Sequence, residues 1–531
     1  KLRLHVGNFG MRTRLVLCKA PMLALVNTAA PFGFVTPKGP FYCPSKLSPV
    51  QHQRPLHVLS APLTITAQNQ PPRRNGSSRG SNNYRGSNNR GSNRGNNRGD
   101  PRNFSPRPPA GPPLSDLVTT PIGPGQPFVK IETAGVPVHI FASSKVEPDA
   151  VQQLVNLAQT KIPVGYVSAM PDVHLGKGAT IGSVFASEKY VSPNAVGVDI
   201  GCGMTAVPTD MFNTDVTRAQ LEEMQARIKK HIPTGFNWHK RPVRGVAEAL
   251  DTVSDKTPPS QWLIDNILGR EKTQTQVGSL GGGNHFLEVV YDEDERIWLM
   301  LHSGSRFAGN FTAETYDLLA QEQMKKRGEL NYPKGLAYLD IESEEGQRYL
   351  QDMLWCQGYA FQNRQFMLDS MMHQFCDVTG GTPLLQKRIN VHHNFCQCES
   401  CTYVDKSTGK EVTQDLWVTR KGATSARIGE YGIIPGSMGV GSYIVKGKGN
   451  PDAWNSCSHG AGRTMSRTKA HKAIDQKEFE ALMDGIVCDT NPKVKDEAPQ
   501  AYKDLDVVMK DQETLVDIAH RLKPLVNVKG F

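Results

Sequence analysis

Ser456-Cys-Ser-His-Gly-Ala-Gly-Arg463 is the stretch on which the reading of this chain turns. A histidine between a serine and Gly-Ala-Gly presents an unhindered imidazole, and Arg463 and Arg467 follow it. Such an imidazole can attack a phosphorus while guanidinium groups neutralise the phosphoryl oxygens. Far upstream lie Asp199-Ile-Gly-Cys202, Asn284-His285, His302-Ser-Gly-Ser-Arg306 and His392-His-Asn394. Carboxylate, thiol and imidazole in polar or glycine-rich settings make a mixed O, N and S set able to hold one or two divalent ions. Motifs so widely spaced meet only if one large fold gathers them.

Taken singly, each motif has a plain structural alternative. In Ala195-Val-Gly-Val-Asp-Ile-Gly-Cys-Gly203 the Asp and Cys can converge over a glycine turn, or be a turn cap and a buried thiol. In Met170-Pro-Asp-Val-His-Leu-Gly-Lys-Gly178, Asp172 and His174 are candidates to orient metal-bound imidazoles. If 285–290 form a strand, His285 and Phe286 face opposite sides, and Ile297–Leu301 reads as a buried strand running into His302. A lone histidine of this kind is usually a hydrogen-bonded core residue, but four such loops are not independent accidents. Arg420-Lys-Gly-Ala-Thr-Ser-Ala426 and Ile434-Pro-Gly-Ser-Met-Gly-Val-Gly-Ser442 read as loops with free N–H groups for phosphate or nucleobase, tight turns being the alternative. Cys396-Gln-Cys-Glu-Ser-Cys401 has the look of a zinc half-site. The phosphate loop G-x-x-x-x-G-K-[ST], a helix-opening G-x-G-x-x-G and a Lys-x-Asp-Gly nucleophile motif are all missing, so nucleotide chemistry here needs another design.

The chain has 531 residues, a net charge of +10 and 38% hydrophobic residues. Residues 1–100 hold 15 Lys/Arg against one acid, a net of +14, which leaves −4 on the remainder. The basic character therefore belongs to the N-terminal segment, and any nucleic-acid binding by the body would have to rest on local patches, not on global charge. Residues 1–70 resemble an organelle transit peptide, plastid or mitochondrial, with Met11 opening the more typical presequence; without such a role the chain is expected in the cytoplasm. The Arg/Gly/Ser/Asn- and Pro-rich linker over 71–127 has too little apolar surface to fold. Scattered cysteines suit a reducing compartment, and no apolar run reaches the roughly 18 residues of a membrane span.

From 128 to 531 strands and helices interleave, which predicts an α/β (mixed α+β) fold in a single large domain. The expected elements are strands at Val129–Glu132, Val136–Ala142, Trp417–Thr419 and Tyr443–Val445. Helices are expected at Pro148–Thr160, Val216–Ile232 (capped by Thr214 or Asp215), Thr312–Arg327, Ser343–Met372 (broken once), Lys472–Ile486 and Gln512–Leu522.

The ordered series Asp199–Cys202, Gly283–His285, His302–Arg306, His393-Asn394, Pro435–Met438 and Cys457–Arg463, with Lys529 near the end, resembles the RtcB family of RNA-splicing ligases, bacterial branch. That resemblance implies a GTP-dependent, two-manganese enzyme. It joins an RNA 3′-phosphate or 2′,3′-cyclic phosphate to a 5′-hydroxyl through a histidine–guanylate, in tRNA splicing or RNA repair. It implies His459 as nucleophile, and Asp199, Cys202, His285, His302 and His393 as metal ligands. GTP contacts would come from Asn284, His285, Phe286, Leu287, Glu288, His393, Asn394, Pro435, Gly436, Ser437, Met438, Ser442, His459, Gly460, Ala461, Gly462 and Lys529. The expected partners are RNA ends and an archease-like activator, with a monomeric enzyme and no membrane. A metal-dependent RNA phosphoesterase, which needs neither a histidine nucleophile nor a guanine-reading Glu288, is the alternative; a noncatalytic RNA-binding protein is a third.

Overall fold

The computed structural model describes residues 126–405 and 408–530, so residues 1–70, expected as a transit peptide, and nearly all of the expected linker lie outside them. Phe286-Leu-Glu-Val-Val-Tyr291, rich in β-branched and aromatic residues, and Arg296-Ile-Trp-Leu-Met-Leu-His-Ser303, a largely apolar run, pair antiparallel at the centre of a seven-stranded sheet. Its order is Ile389–His392, Gly203–Phe212, Arg296–Ser303, Phe286–Tyr291, Val516–Lys529, Ser442–Gly447, Tyr431–Pro435, antiparallel throughout. A six-stranded sheet runs Val129–Ile131, Val138–Ile140, Val164–His174, Ile181–Ser187, Glu411–Lys421, Asn394–Val404, with one parallel pair, Val138–Ile140 beside Val164–His174. The mixed α+β expectation holds.

The 36-residue helix Glu344–Thr379 lays Met367, Leu368, Met371 and Phe375 against Leu287, Leu299, Leu301 and Val528 of the seven-stranded sheet, a fully buried apolar layer. It is continuous, where a break was expected. Gly358 does not interrupt it but admits a neighbour: a Cβ there would stand 2.6 Å from Val253 of the Val246–Lys256 helix. Ser343 caps its start and Gly380, at φ 76°, ends it.

Four other expectations change. The helix Arg218–His231 is capped by Thr217, boxed with Gln220, because Thr214 and Asp215 are spent in the preceding 3₁₀ turn Asn213–Asp215. Lys472–Ile486 divides into Arg467–Ala473 and Gln476–Leu482, where Asp475 caps the second helix. The helix expected over Gln512–Leu522 is instead the end of the helix Leu505–Asp511 followed by the strand Val516–Lys529. That strand fills the gap between Phe286–Tyr291 and Ser442–Gly447, and its Pro524 sits where the register shifts, so ladder pairing overrides local pattern. Cys396, Cys398 and Cys401 lie on Asn394–Val404; Cys396 and Cys398 pack into one core cluster and Cys401 into another, which does not form the zinc half-site. Among the described residues no helix is long and apolar enough to cross a membrane.

Candidate active site

Sheet register places the candidate ligands. Gly203 pairs with Ser303 and with His392, and Phe286 pairs with both His302 and Lys529. The turn before Gly203, the loop before Phe286, the end of the His302 strand and the exit from His392 therefore meet at one end of four adjacent strands of the seven-stranded sheet. Cys202, His285, His302 and His393 are delivered there by pairing alone. Asp172 arrives from the six-stranded sheet on Val164–His174, so the site lies on a seam.

The side chains converge. His285 Nε2 lies 3.4 Å from Cys202 Sγ and 3.1 Å from Asp199 Oδ2. His302 Nε2 is 3.2 Å from the same sulfur and 3.1 Å from His393 Nε2. The outer nitrogens fix the tautomers: His285 Nδ1–H donates to the Leu280 carbonyl at 2.9 Å and His302 Nδ1–H to that of Asn284 at 3.2 Å. Inside the cluster the electron pairs of imidazole, carboxylate and sulfur then outnumber the protons, an arrangement that a cation satisfies. The donor set thus fits a divalent metal, and Cys202, His285 and His302 have ligand atoms within 4.8 Å of one another.

Electrostatics agree. Burial and then the neighbouring imidazoles keep His302 and His393 well below their ordinary range, hence neutral. Burial opposes ionisation of Asp199, but its neighbours, His285 foremost and then Cys202 and the Arg306 guanidinium, draw the carboxyl down to about 2. Burial and Asp199 push the Cys202 thiol well up, a penalty that a dication at the sulfur reverses. Gly304 makes the cradle: a Cβ there would stand 2.2 Å from the Asp199 carboxylate, which accepts the Ser305 N–H at 2.9 Å.

His459 stands beside this cluster, its ring 4.9 Å from that of His393. Its Nδ1–H donates to Asp172 Oδ2 at 2.6 Å, and the same oxygen accepts the His459 and Gly460 N–H groups at 3.1 and 3.2 Å. Asp172 is fully buried; burial opposes its charge, yet the His459 imidazole holds the carboxyl below its usual range. The Nε2 lone pair of His459 is thereby left for another partner. It borders a cavity of about 270 Å³ whose walls include Asn284, Phe286, Glu288, Ser437, Arg463 and Lys529. Among the described residues the buried Ser437 hydroxyl there has no partner.

The sequence profile of the tRNA-splicing ligase RtcB family matches residues 153–530. The chain is 39% identical over 432 residues to the RNA-splicing ligase RtcB of Escherichia coli (strain K12), covering 78% of this chain and 99% of that protein. It is 31% identical over 460 residues to the tRNA-splicing ligase RtcB of Methanococcus maripaludis, covering 72% and 92%. The RNA-splicing ligase RtcB of Mycobacterium tuberculosis is also 31% identical, over 447 residues, covering 71% and 100%.

The chain belongs to the RtcB family.

In this RtcB protein the cavity gathers Asn284, Phe286, Glu288, Pro435, Gly436, Ser437, Met438, Ser442, His459, Gly460, Ala461, Gly462 and Lys529, all expected as nucleotide contacts. His285 and His393 sit with the candidate metal ligands instead. Leu287 points the other way, fully buried in the apolar layer under the long helix. Asn394 is engaged elsewhere, its Oδ1 accepting the Gly422 N–H at 2.8 Å. Asp172 orients the candidate nucleophile rather than a metal-bound imidazole, and His174 Nδ1–H donates to the Asp172 carbonyl at 2.9 Å. Arg420 and Lys421 end a strand and are not a phosphate loop: Arg420 forks onto Glu399 at 2.5 and 3.1 Å, and Lys421 donates to the Lys177 and Asn194 carbonyls.

Two residues central to the site carried no signal in the sequence. Glu497, buried, accepts from Lys529 at 2.6 Å, Arg467 at 2.6 Å and Arg463 at 3.2 Å, so the arginines expected to face phosphoryl oxygens are held by carboxylate in this structure. Arg364, fully buried in the long helix, donates to the Gly201 and Ser303 carbonyls at 2.8 and 3.1 Å and ties the two ligand-bearing loops together. Glu288 is buried too: burial lifts its carboxyl to about 7, against the Asn527 hydrogen bond and the charge of Lys529.

Proposed function

We propose that this RtcB-family RNA ligase uses GTP and two manganese ions to join an RNA 3′-phosphate or 2′,3′-cyclic phosphate to a 5′-hydroxyl through a guanylate on His459. The observation that carries the reading is the buried Asp172 holding Nδ1–H of His459, with Nε2 turned to a cavity walled by Glu288 and Lys529. His459 Nε2 attacks the α-phosphorus of GTP; the P–N bond forms as the bond to the bridging oxygen breaks, and pyrophosphate leaves. The ring becomes cationic, and the Asp172 carboxylate offsets that charge while keeping the Nδ1 proton. Transfer of the guanylate to the RNA 3′-phosphate frees His459, and the 5′-hydroxyl then displaces GMP; a cyclic end is first opened by water. Glu288, once ionised, accepts from guanine N1–H and the exocyclic amine. Asp199, Cys202, His285, His302 and His393 would hold the metal, which when bound would polarise phosphoryl oxygens.

The substrates on this reading are tRNA halves or cleaved RNA, the enzyme is a monomer served by an archease-like activator, and residues 1–70 direct it to an organelle. The test is joining of a 3′-phosphate strand to a 5′-hydroxyl strand. Product that needs GTP and vanishes in His459→Ala supports the ligase; hydrolysis of the cyclic end without joining, indifferent to GTP, would make the protein a phosphoesterase.

A further inference from the structure

The segment between Glu223 and Glu248 contains no acid and carries Arg227, Lys229, Lys230, Lys240, Arg241 and Arg244, on a body whose net charge is negative. Arg227 and Lys229 are paired with Glu223, Asp377 and Asp489. Lys240, Arg241 and Arg244 are exposed and have no ion-pair partner among the described residues. Between the two groups of cations stand Phe236, 93% exposed, and Trp238, 43% exposed. A large ring left almost wholly in water is costly unless something covers it.

These rings are displayed on a fixed backbone. Leu280 N–H donates to the Pro233 carbonyl at 2.9 Å, Gly235 N–H to that of Gly281 at 2.7 Å, and His239 N–H to that of Thr275 at 3.1 Å. The His239 ring adds a bond to the Gly278 carbonyl at 3.0 Å. Every one of these anchors lies on 275–281, the segment that leads into Asn284 and His285. The Gly235 carbonyl also accepts from Arg306 at 3.3 Å, so Phe236 is one residue from a point bonded to both the 281–285 loop and Arg306. Lys272 stands over the Trp238 ring at 5.0 Å, which adds a further cation to the rim.

Exposed aromatic faces interleaved with unpaired cations are the chemistry of a single-stranded nucleic-acid platform: bases stack on rings in any sequence, and phosphates meet Lys and Arg. We propose that Phe236 and Trp238, with Lys240, Arg241 and Arg244, form a stacking subsite that grips unpaired nucleotides next to the RNA end as it enters the metal cluster. This rests on the RNA-ligase reading and adds where the strand lies and that it must be unpaired. Duplex RNA keeps its bases stacked inside the helix and offers the rings nothing.

The test uses the full chain, wild type against Phe236→Ala/Trp238→Ala, with fluorescent single-stranded RNA ending either in 5′-hydroxyl or in 3′-phosphate, and a blunt duplex as control. Loss of base–aromatic stacking should weaken binding of at least one single strand about tenfold or more, and whichever arm responds identifies the strand held. Duplex binding should not change. Replacing Lys240, Arg241 and Arg244 by Ala should flatten the log–log salt dependence of single-strand binding, its slope falling by about 0.7 for each phosphate no longer neutralised. Guanylation of His459 without RNA, measured in parallel, should match wild type, as should the melting temperature. Unchanged affinity for both single strands, or equal loss for duplex, overturns the subsite and leaves a protein partner as its occupant. Failure of wild type to guanylate would refute the histidine–guanylate reading instead, while the binding arms still decide the subsite.

Discussion

Replacing Asp172 by asparagine isolates the charge behind the candidate nucleophile while keeping its shape. One oxygen of this fully buried carboxylate accepts three N–H groups, from the His459 ring and from the His459 and Gly460 backbone. Hydrogen bonds to a charged group are worth about 1.5–3 kcal/mol. The bond to the ring strengthens as Nε2 takes phosphorus and the imidazole becomes cationic, so most of that loss falls on the transition state. At about 1.4 kcal/mol per decade the amide should slow guanylation roughly 10- to 150-fold. If the amide turns its NH₂ to Nδ1, the ring proton moves to Nε2 and the nucleophilic lone pair is lost; a neutral amide in place of the aspartate of a serine-protease triad costs about 10⁴ for that reason. The assay is single-turnover guanylation with saturating GTP and manganese, alongside metal content and GTP affinity, both expected to match wild type. Guanylation within threefold of wild type would refute the orienting role. Equal loss of metal would show that Asp172 supports the cluster instead.

Gly304→Ala drives a methyl into the Asp199 carboxylate, 2.2 Å from the nearest oxygen, and should lower bound metal per chain, read by elemental analysis, without altering far-ultraviolet dichroism. Glu288, lifted to about 7, must ionise to read guanine; GTP affinity should rise with pH up to about 7 and then level, and Glu288→Gln should abolish that dependence. The sign for stability is opposite: the folded state holds this proton more tightly than the unfolded chain, so Glu288 costs stability as pH climbs from its unfolded value, about 4.3, towards 7. Leu287→Ala, in the fully buried layer beneath the long helix, should cost about 2–5 kcal/mol in denaturant unfolding yet leave GTP affinity unchanged; weaker GTP binding at equal stability would put Leu287 in the pocket after all.

The residues most legible in the sequence are those whose chemistry is local. Cys202, His285, His302 and His459 each sit in a short glycine- or polar-rich motif, and the structure brings all four together. What the sequence left unread depends on pairing between distant strands. Asp172 looked like a partner for a metal-bound imidazole and serves His459, because Val164–His174 passes beside the His459 loop. Glu497 lies in a 3₁₀ turn with nothing around it to mark it; its role comes only from Lys529, Arg463 and Arg467 folding onto it. The pattern of Gln512–Leu522 suits a helix because a short apolar run fits both periods, and the two strands flanking Val516–Lys529, with open ladder edges, make it a strand instead. Gly358 illustrates the same limit inside a helix, where only the neighbour at Val253 distinguishes a packing glycine from a break.

The most direct test of the account is incubation with α-labelled GTP and manganese, comparing wild type with His459→Ala. Acid-labile, alkali-stable label should appear on wild type alone, the signature of a phosphoramidate at that imidazole. Label retained in His459→Ala, or none on a folded and metal-loaded wild type even with a 3′-phosphate RNA present, would contradict it.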